Sequence, residues 1–362
     1  MDEKRHVEIY REDGRYAAWP ANYGIWSWGD EIVLGFTAGF CDADGGFHAR
    51  DRDRPFSTMQ ARSRDGGESW EVCPAPLRSP GNAGVSADEH MNAPLAIGDP
   101  YSGPNPPAAH PGGIDFTHPD FALMCARTGL TAGAVSWFYT STDRCRTWDG
   151  PFQLGTYGRP GMAARTSYIV SGESECTLFL TATRSDGEQG ESLCARTVDG
   201  GRSFDLLSWI TPEPTGHGYA IMPSAVALDG GRLLCAVRAR DESRNWIDLY
   251  GSDDGGRAWK YVCRPVPDTG FGGNPPALLS LADGRLCLTY GYRAPPFSIR
   301  ARLSDDGGRT WGEEVVLRDG AGNHDIGYTR SAQRADGRIV TAYYFNDEHA
   351  GERYIAATIW GP

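Results

Sequence analysis

Lysine is almost missing from this chain: of its 35 basic residues only Lys4 and Lys260 are lysines, and the rest are arginines. An arginine near any candidate site is therefore weak support on its own. The formal net charge is -12 and no basic run or stripe occurs, which argues against a protein that neutralises nucleic-acid phosphates. No CxxC pair occurs among the nine scattered cysteines and histidine is sparse, so neither a zinc site nor another metal or cofactor is expected. Most of the cysteines sit in apolar runs such as ALMCAR and LLCAVR, where a thiol packs as a small hydrophobe. No apolar run reaches the 18 or so residues of a membrane span, and MDEKRHVEIYRED lacks the apolar stretch of a secretory leader. The expectation is a reduced, cytoplasmic protein with no membrane partner; a secreted form whose leader had been removed would read the same. A helical period is missing too, and strand-type alternation takes its place.

What the chain has in excess is glycine, 47 of 362 residues, together with 24 prolines and 40% apolar residues. That composition suits an all-β protein with many turns and a large core. One turn motif recurs five times. It reads Ser63-Arg-Asp65-Gly-Gly-Glu-Ser69-Trp70, and returns at 141–148, 197–204, 252–259 and 304–311. Each part has a physical reason. The Asp carboxylate accepts hydrogen bonds from turn amides, Gly supplies positive φ, and the terminal Trp or Phe wedges between neighbouring sheets. The aspartates 65, 143, 199, 254 and 306 are separated by 78, 56, 55 and 52 residues. Steps just above 50 suit one four-stranded antiparallel blade each, and the long first step absorbs a Pro/Gly-rich loop insertion at about 74–113. A sixth copy would fall near residue 358, where the chain is ending. The last blade therefore stops after three strands, and the N-terminal strand at 6–10 is expected to supply the fourth and close the ring. The reading is a single domain, 1–362, forming a six-bladed β-propeller. Paired runs such as 277–290, two strands across an Asp-Gly turn, support it.

The motif resembles the Asp box of the sialidase superfamily, S-x-D-x-G-x-T-W. Over nearly its whole length, including DFTHPDFAL, SDDGGRTW, the GYR…RAR run and a closing YIAAT, the chain is similar to bacterial BNR-repeat sialidase-like proteins. The resemblance implies that the boxes turn between strands three and four on the face away from the site. The site face is then built by segments leading into each first strand (16–20, 115–119, 163–168, 220–223, 270–275, 324–330) and by the loops between strands two and three.

Sialidases use a Tyr nucleophile with a Glu partner, an Asp acid/base on the first blade and an arginine clamp for a carboxylate. Carried over by position, the nucleophile is Tyr328, with Asp325 to orient or deprotonate it. Of the four aspartates in the 40–55 loop, Asp51, in a His-x-x-Asp arrangement with His48, is favoured as acid/base. Arg238 matches the second clamp position, Arg293 or Arg300 the third, and Arg165, Arg330 and His118 are further candidates for binding substrate. Two positions depart from the family. Ala17-Ala18-Trp19-Pro20 stands where F-R-I-P is typical, so the first clamp arginine is missing. Met222 occupies the Glu position, for which Glu188, Glu242 and Glu348 are possible stand-ins.

The leading expectation is a glycoside hydrolase removing a terminal anionic sugar, sialic acid or a related acid, with a carbohydrate as its partner. The alternatives are a uronate lyase, with Tyr328 or a histidine (His48, His118, His324) as base, and a non-catalytic carbohydrate-binding propeller. For the last, the aromatics Trp19, Trp137, Trp246 and Tyr292 would stack on sugar faces.

Overall fold

A computed structural model describes residues 4–42, 44–81, 100–347 and 351–362. It is a ring of six antiparallel sheets around a central axis. Blades three, four and five each read outward in chain order: Tyr168–Gly172 to Asp205–Trp209, Tyr219–Ala227 to Lys260–Val266, and Ala277–Ser280 to Val315–Arg318. In blade six, Gly327–Gln333, Ile339–Phe345 and Tyr354–Trp360 are followed on the outer edge by Arg5–Tyr10, which pairs antiparallel with Tyr354–Trp360. The ring closes as the missing sixth turn motif implied, and blade six is left with no open outer edge beside its third strand.

The repeated turns behave as their chemistry predicts. Asp65 accepts hydrogen bonds from the amides of Glu68 and Ser69 (3.0 and 2.9 Å) and from the Ser69 hydroxyl. Ser63 accepts the amide of Gly67 at 2.7 Å. The wedge rings reach the preceding blade: Trp148 Nε1 donates to Gln60 Oε1 and Trp259 Nε1 to Ser208 Oγ. The second copy has Arg144 and Cys145 where the others have two glycines, and both hold the left-handed conformation (φ 58° and 60°) without them.

Blades one and two depart from the regular plan. In blade one the innermost position is split: Arg15–Ala18 and Gly24–Trp28 both pair with Glu31–Phe40, with the short helix Pro20–Tyr23 between them. Blade two has three strands among the described residues, Ala122–Arg127, Ser136–Ser141 and Asp149–Gln153, and no inner strand. The segment 115–119 was expected to lead into that blade from the site face. It runs instead across the opposite face: the Ile114 amide bonds to Gly200 O in the third repeated turn, and the Phe116 amide bonds to Glu173 O. Phe116 is buried against Phe121 and Phe204, so apolar burial between blades two and three fixes this path. Of the 74–113 insertion, residues 82–99 lie outside the described residues; the rest forms one isolated bridge, Ala108 to Phe152.

Candidate active site

The site begins with a backbone device used on three blades. Trp19, Met222 and Tyr328 each adopt positive φ (60°, 54° and 51°) where the chain enters an innermost strand. On blades four and six the strand register breaks at that point, between Ile221 and Ser224 and between Gly327 and Arg330. Such bulges re-aim a side chain out of the pleat, and all three residues fall in one buried cluster with Tyr16, Tyr219 and Tyr344. Each register break is held from the preceding blade: the Met222 amide donates to Thr181 Oγ1 at 2.9 Å, and the Tyr328 amide to Asn274 Oδ1 at 2.8 Å. Gly327 is required beside it, since a Cβ there would stand 2.4 Å from the Asn274 amide nitrogen.

Arg238 meets the tyrosine. Its Nη1 donates to the Tyr328 hydroxyl at 3.2 Å and lies 3.7 Å from Met222 Sδ, while Nη2 donates to Gly272 O. Its Nε has no acceptor among the described residues. Arg293 lies 5.5 Å from the Tyr328 ring centroid, but its donors are committed to Ile326 O, Gly273 O and the Tyr344 hydroxyl.

Behind this pair is a fully buried carboxylate, Asp325. Oδ1 accepts from His48 Nδ1 (2.7 Å) and the Tyr344 hydroxyl (2.8 Å); Oδ2 accepts from the Tyr16 hydroxyl (2.9 Å) and Arg353 Nε (3.0 Å). Burial by itself would raise its pKa, but His48, Arg353 and Arg293 outweigh that and hold it far below the ordinary carboxylate range. Burial also lowers the His48 pKa, with Asp325 acting against it. Over the cluster sits an aromatic roof. The Phe47 ring lies 4.6 Å from His324, 4.7 Å from His48 and 5.2 Å from Phe271, and Phe271 is largely exposed.

The BNR repeat-like domain family matches residues 121–341. The chain belongs to that family. No curated protein matches it by sequence. Among solved structures, this BNR repeat-like propeller is similar to a Dyadobacter fermentans protein of unknown function (20% identity, TM-score 0.71, 99% of each chain covered). It is also similar to a Hadza microbial sialidase (14% identity, TM-score 0.62, 95% of this chain and 66% of that one). A third similar structure is a Penicillium chrysogenum α-L-arabinanase complexed with arabinobiose (10% identity, TM-score 0.59, 98% and 97%). At these identities the likeness establishes the propeller fold.

Of the residues singled out from sequence, the propeller brings Tyr328, Arg238, Arg293, Asp325 and His48 together. Asp325 does not reach the Tyr328 hydroxyl. All four of its hydrogen bonds go elsewhere, which makes it an anchor of the cluster and a poor base. Asp51 caps its own turn, accepting the Asp53 amide at 2.8 Å, and no described hydrogen bond ties it to Tyr328. Arg300 pairs with Glu314 at 2.6 Å and stacks on Tyr292, so of the two candidates for the third clamp position Arg293 is the one at the tyrosine. Arg165 is buried against Asn22 Oδ1 (3.2 Å) and Ala163 O. His118 belongs to the misplaced 115–119 segment and lies on the face of the repeated turns, away from the tyrosine. Arg330 points into the channel below the site, donating to Ala21 O and Thr166 O. Trp19 and Trp137 are fully buried, and Trp246 is held by Asp248 and Arg264, so these rings pack or pair. Glu348 lies outside the described residues.

Sequence reasoning missed Tyr16, Asn274, Tyr344 and Arg353. Tyr16 and Tyr344 sit in apolar strands where a tyrosine reads as core. Arg353 is one arginine among many, and its partner is 28 residues away. Asn274 carried the best available signal, as a lone amide in the Gly270–Pro275 turn leading into blade five.

Proposed function

We propose that this protein is a glycoside hydrolase acting on a terminal anionic sugar, sialic acid or a related acidic glycoside, with Tyr328 as nucleophile. The observation that carries the reading is the Tyr328 hydroxyl presented on a strained, Asn274-braced bulge with Arg238 at 3.2 Å. A guanidinium beside the phenol places a positive charge where an anionic sugar would meet the tyrosine. A neutral nucleophile also approaches an anionic sugar without charge repulsion. Arg293 lies under the tyrosine ring and supports the same field at one remove. Asp325, in this reading, positions His48, Tyr16 and Tyr344, and Asp51 remains the proposed acid/base from the first-blade loop. Phe271, exposed on the roof, suits stacking against a sugar face.

The test is turnover of aryl glycosides of sialic acid, uronic acids and arabinofuranose by the wild-type chain and by Tyr328→Phe. The expected result is cleavage of an acidic glycoside by the wild type and a loss of at least about 100-fold in kcat in Tyr328→Phe, with little change in melting temperature. Full activity in Tyr328→Phe would remove the tyrosine from the mechanism.

A second reading, carbohydrate binding without turnover, is favoured by one observation. Met222 Sδ, not a carboxylate, stands beside Arg238, and no carboxylate contacts the Tyr328 hydroxyl among the described residues. Saturable glycan binding with no product from any glycoside would favour it. An unsaturated product absorbing in the ultraviolet would point instead to elimination at a uronate.

A further inference from the structure

Below the site, the channel widens into a cavity of about 340 Å³. Its walls come from the residues that follow the turns into the innermost strands: 24–26, 166–168, 224–225, 277–279 and 330–331. Five blades contribute. Blade two, with no inner strand among the described residues, does not.

Arg330 lines this space. Its Nη2 donates to Ala21 O and Thr166 O, both at 2.6 Å, and its Nε is sealed from solvent with no acceptor among the described residues. No described carboxylate pairs with it, and burial lowers its pKa to about 10, which leaves it charged at neutral pH. A half-buried guanidinium that lines the cavity and is met only by carbonyl dipoles is poised to take an anion there.

The hydroxyls around it point to the same kind of ligand. Thr166 Oγ1 accepts the Cys125 amide at 3.0 Å and Ser224 Oγ accepts the Leu278 amide at 2.9 Å. With a backbone amide already on the oxygen, each hydroxyl has its proton to donate. Ser167 adds a third hydroxyl, and Ala225, Ala277 and Leu278 supply apolar wall. Donors are plentiful and carboxylate acceptors are absent from the lining.

We propose that this cavity is an anion site, binding a small oxyanion such as inorganic phosphate or sulfate between the Arg330 guanidinium and the hydroxyls of Thr166, Ser167 and Ser224. The bound anion neutralises Arg330 and ties blades three, four and six together at the axis. The inference is independent of the hydrolase reading, because the site lies beneath Tyr328 and uses none of the groups that meet it.

The test is thermal unfolding of the full chain in increasing inorganic phosphate, with ionic strength held constant by sodium chloride. The wild type is expected to show a saturable rise of about 4 °C. Calorimetry is expected to give one phosphate per chain. Arg330→Met should abolish the rise. Ser167→Phe, which plugs the cavity without removing a described hydrogen bond, should abolish it while leaving the phosphate-free melting temperature within about 2 °C, and it carries the test if Arg330→Met fails to fold. Tyr328→Phe should keep the full response. The proposal is overturned by no rise in the wild type, by a non-saturating rise shared with Ser167→Phe (the general effect of a kosmotropic salt), or by loss of the response in Tyr328→Phe, which would place the anion at the mouth.

Discussion

A single carboxylate organises the residues around the tyrosine. Asp325 gathers His48, Tyr16, Tyr344 and Arg353 from three separate stretches of chain, and its two buried oxygens accept a hydrogen bond from each of them. Asp325→Asn removes the charge and turns half of an acceptor pair into a donor. It should destabilise the fold by about 3–5 kcal/mol in urea unfolding, and a cost under about 1 kcal/mol would mean the network is incidental. The same group sets a pH dependence. The folded-state pKa of His48 lies below its ordinary 6.5, and that of Asp325 far below its ordinary 3.8. For both, the unfolded chain takes up the proton first on acidification, so stability is complete above about pH 6.5 and falls as pH drops, first through the histidine and then more steeply through the aspartate. Urea midpoints measured between pH 7.5 and 3.5 should trace that decline, and His48→Gln should flatten its upper part.

At the scale of the element, the repeated turn separates two costs that are usually mixed. Gly200 and Gly255 hold the same position in two copies, with nearly the same φ (69° and 71°). A Cβ on Gly255 meets only an arginine tip at 3.7 Å, whereas one on Gly200 stands 2.6 Å from the Gly113 amide nitrogen. Gly255→Ala should therefore cost about 1 kcal/mol for the left-handed conformation alone. Gly200→Ala should cost about 2–3 kcal/mol, because the segment that crosses blade three must also move. Equal losses in the two variants would show that the 110–116 segment is loosely docked. The segment 115–119, which overlaps it, is where sequence reasoning misplaced His118. Its text resembles the lead-in of a sialidase blade, but Phe116 had an apolar slot available on the other face.

At the scale of the molecule, closure is the property on which the ring depends. Arg5–Tyr10 covers the edge of Tyr354–Trp360 along a register that runs from Arg5 opposite Ile359 to Tyr10 opposite Ile355. Deleting residues 1–10 exposes that edge as a template for another chain and removes buried Ile9 from the core shared with blade one. The truncated chain should melt roughly 5–10 °C lower and elute partly as larger species in size-exclusion chromatography. A monomer of unchanged stability would show that the velcro strand is dispensable.

The fivefold turn, its spacing near 50 residues and the missing sixth copy were enough to establish the propeller, the number of blades and the closing strand. Those are local and periodic properties, written in Asp, Gly and Trp at fixed offsets. Tyr328, Arg238 and Met222 were also legible, because each sits at a repeated position relative to its blade. What the tertiary structure alone decided is which arginine meets the tyrosine, which groups surround Asp325, and that Arg330 faces the channel and not the mouth. Those contacts join residues such as Tyr16 and Asp325, which are 309 positions apart and are brought together only when the ring closes. In a chain with so many arginines, neighbourhood in space assigns their roles, and composition cannot.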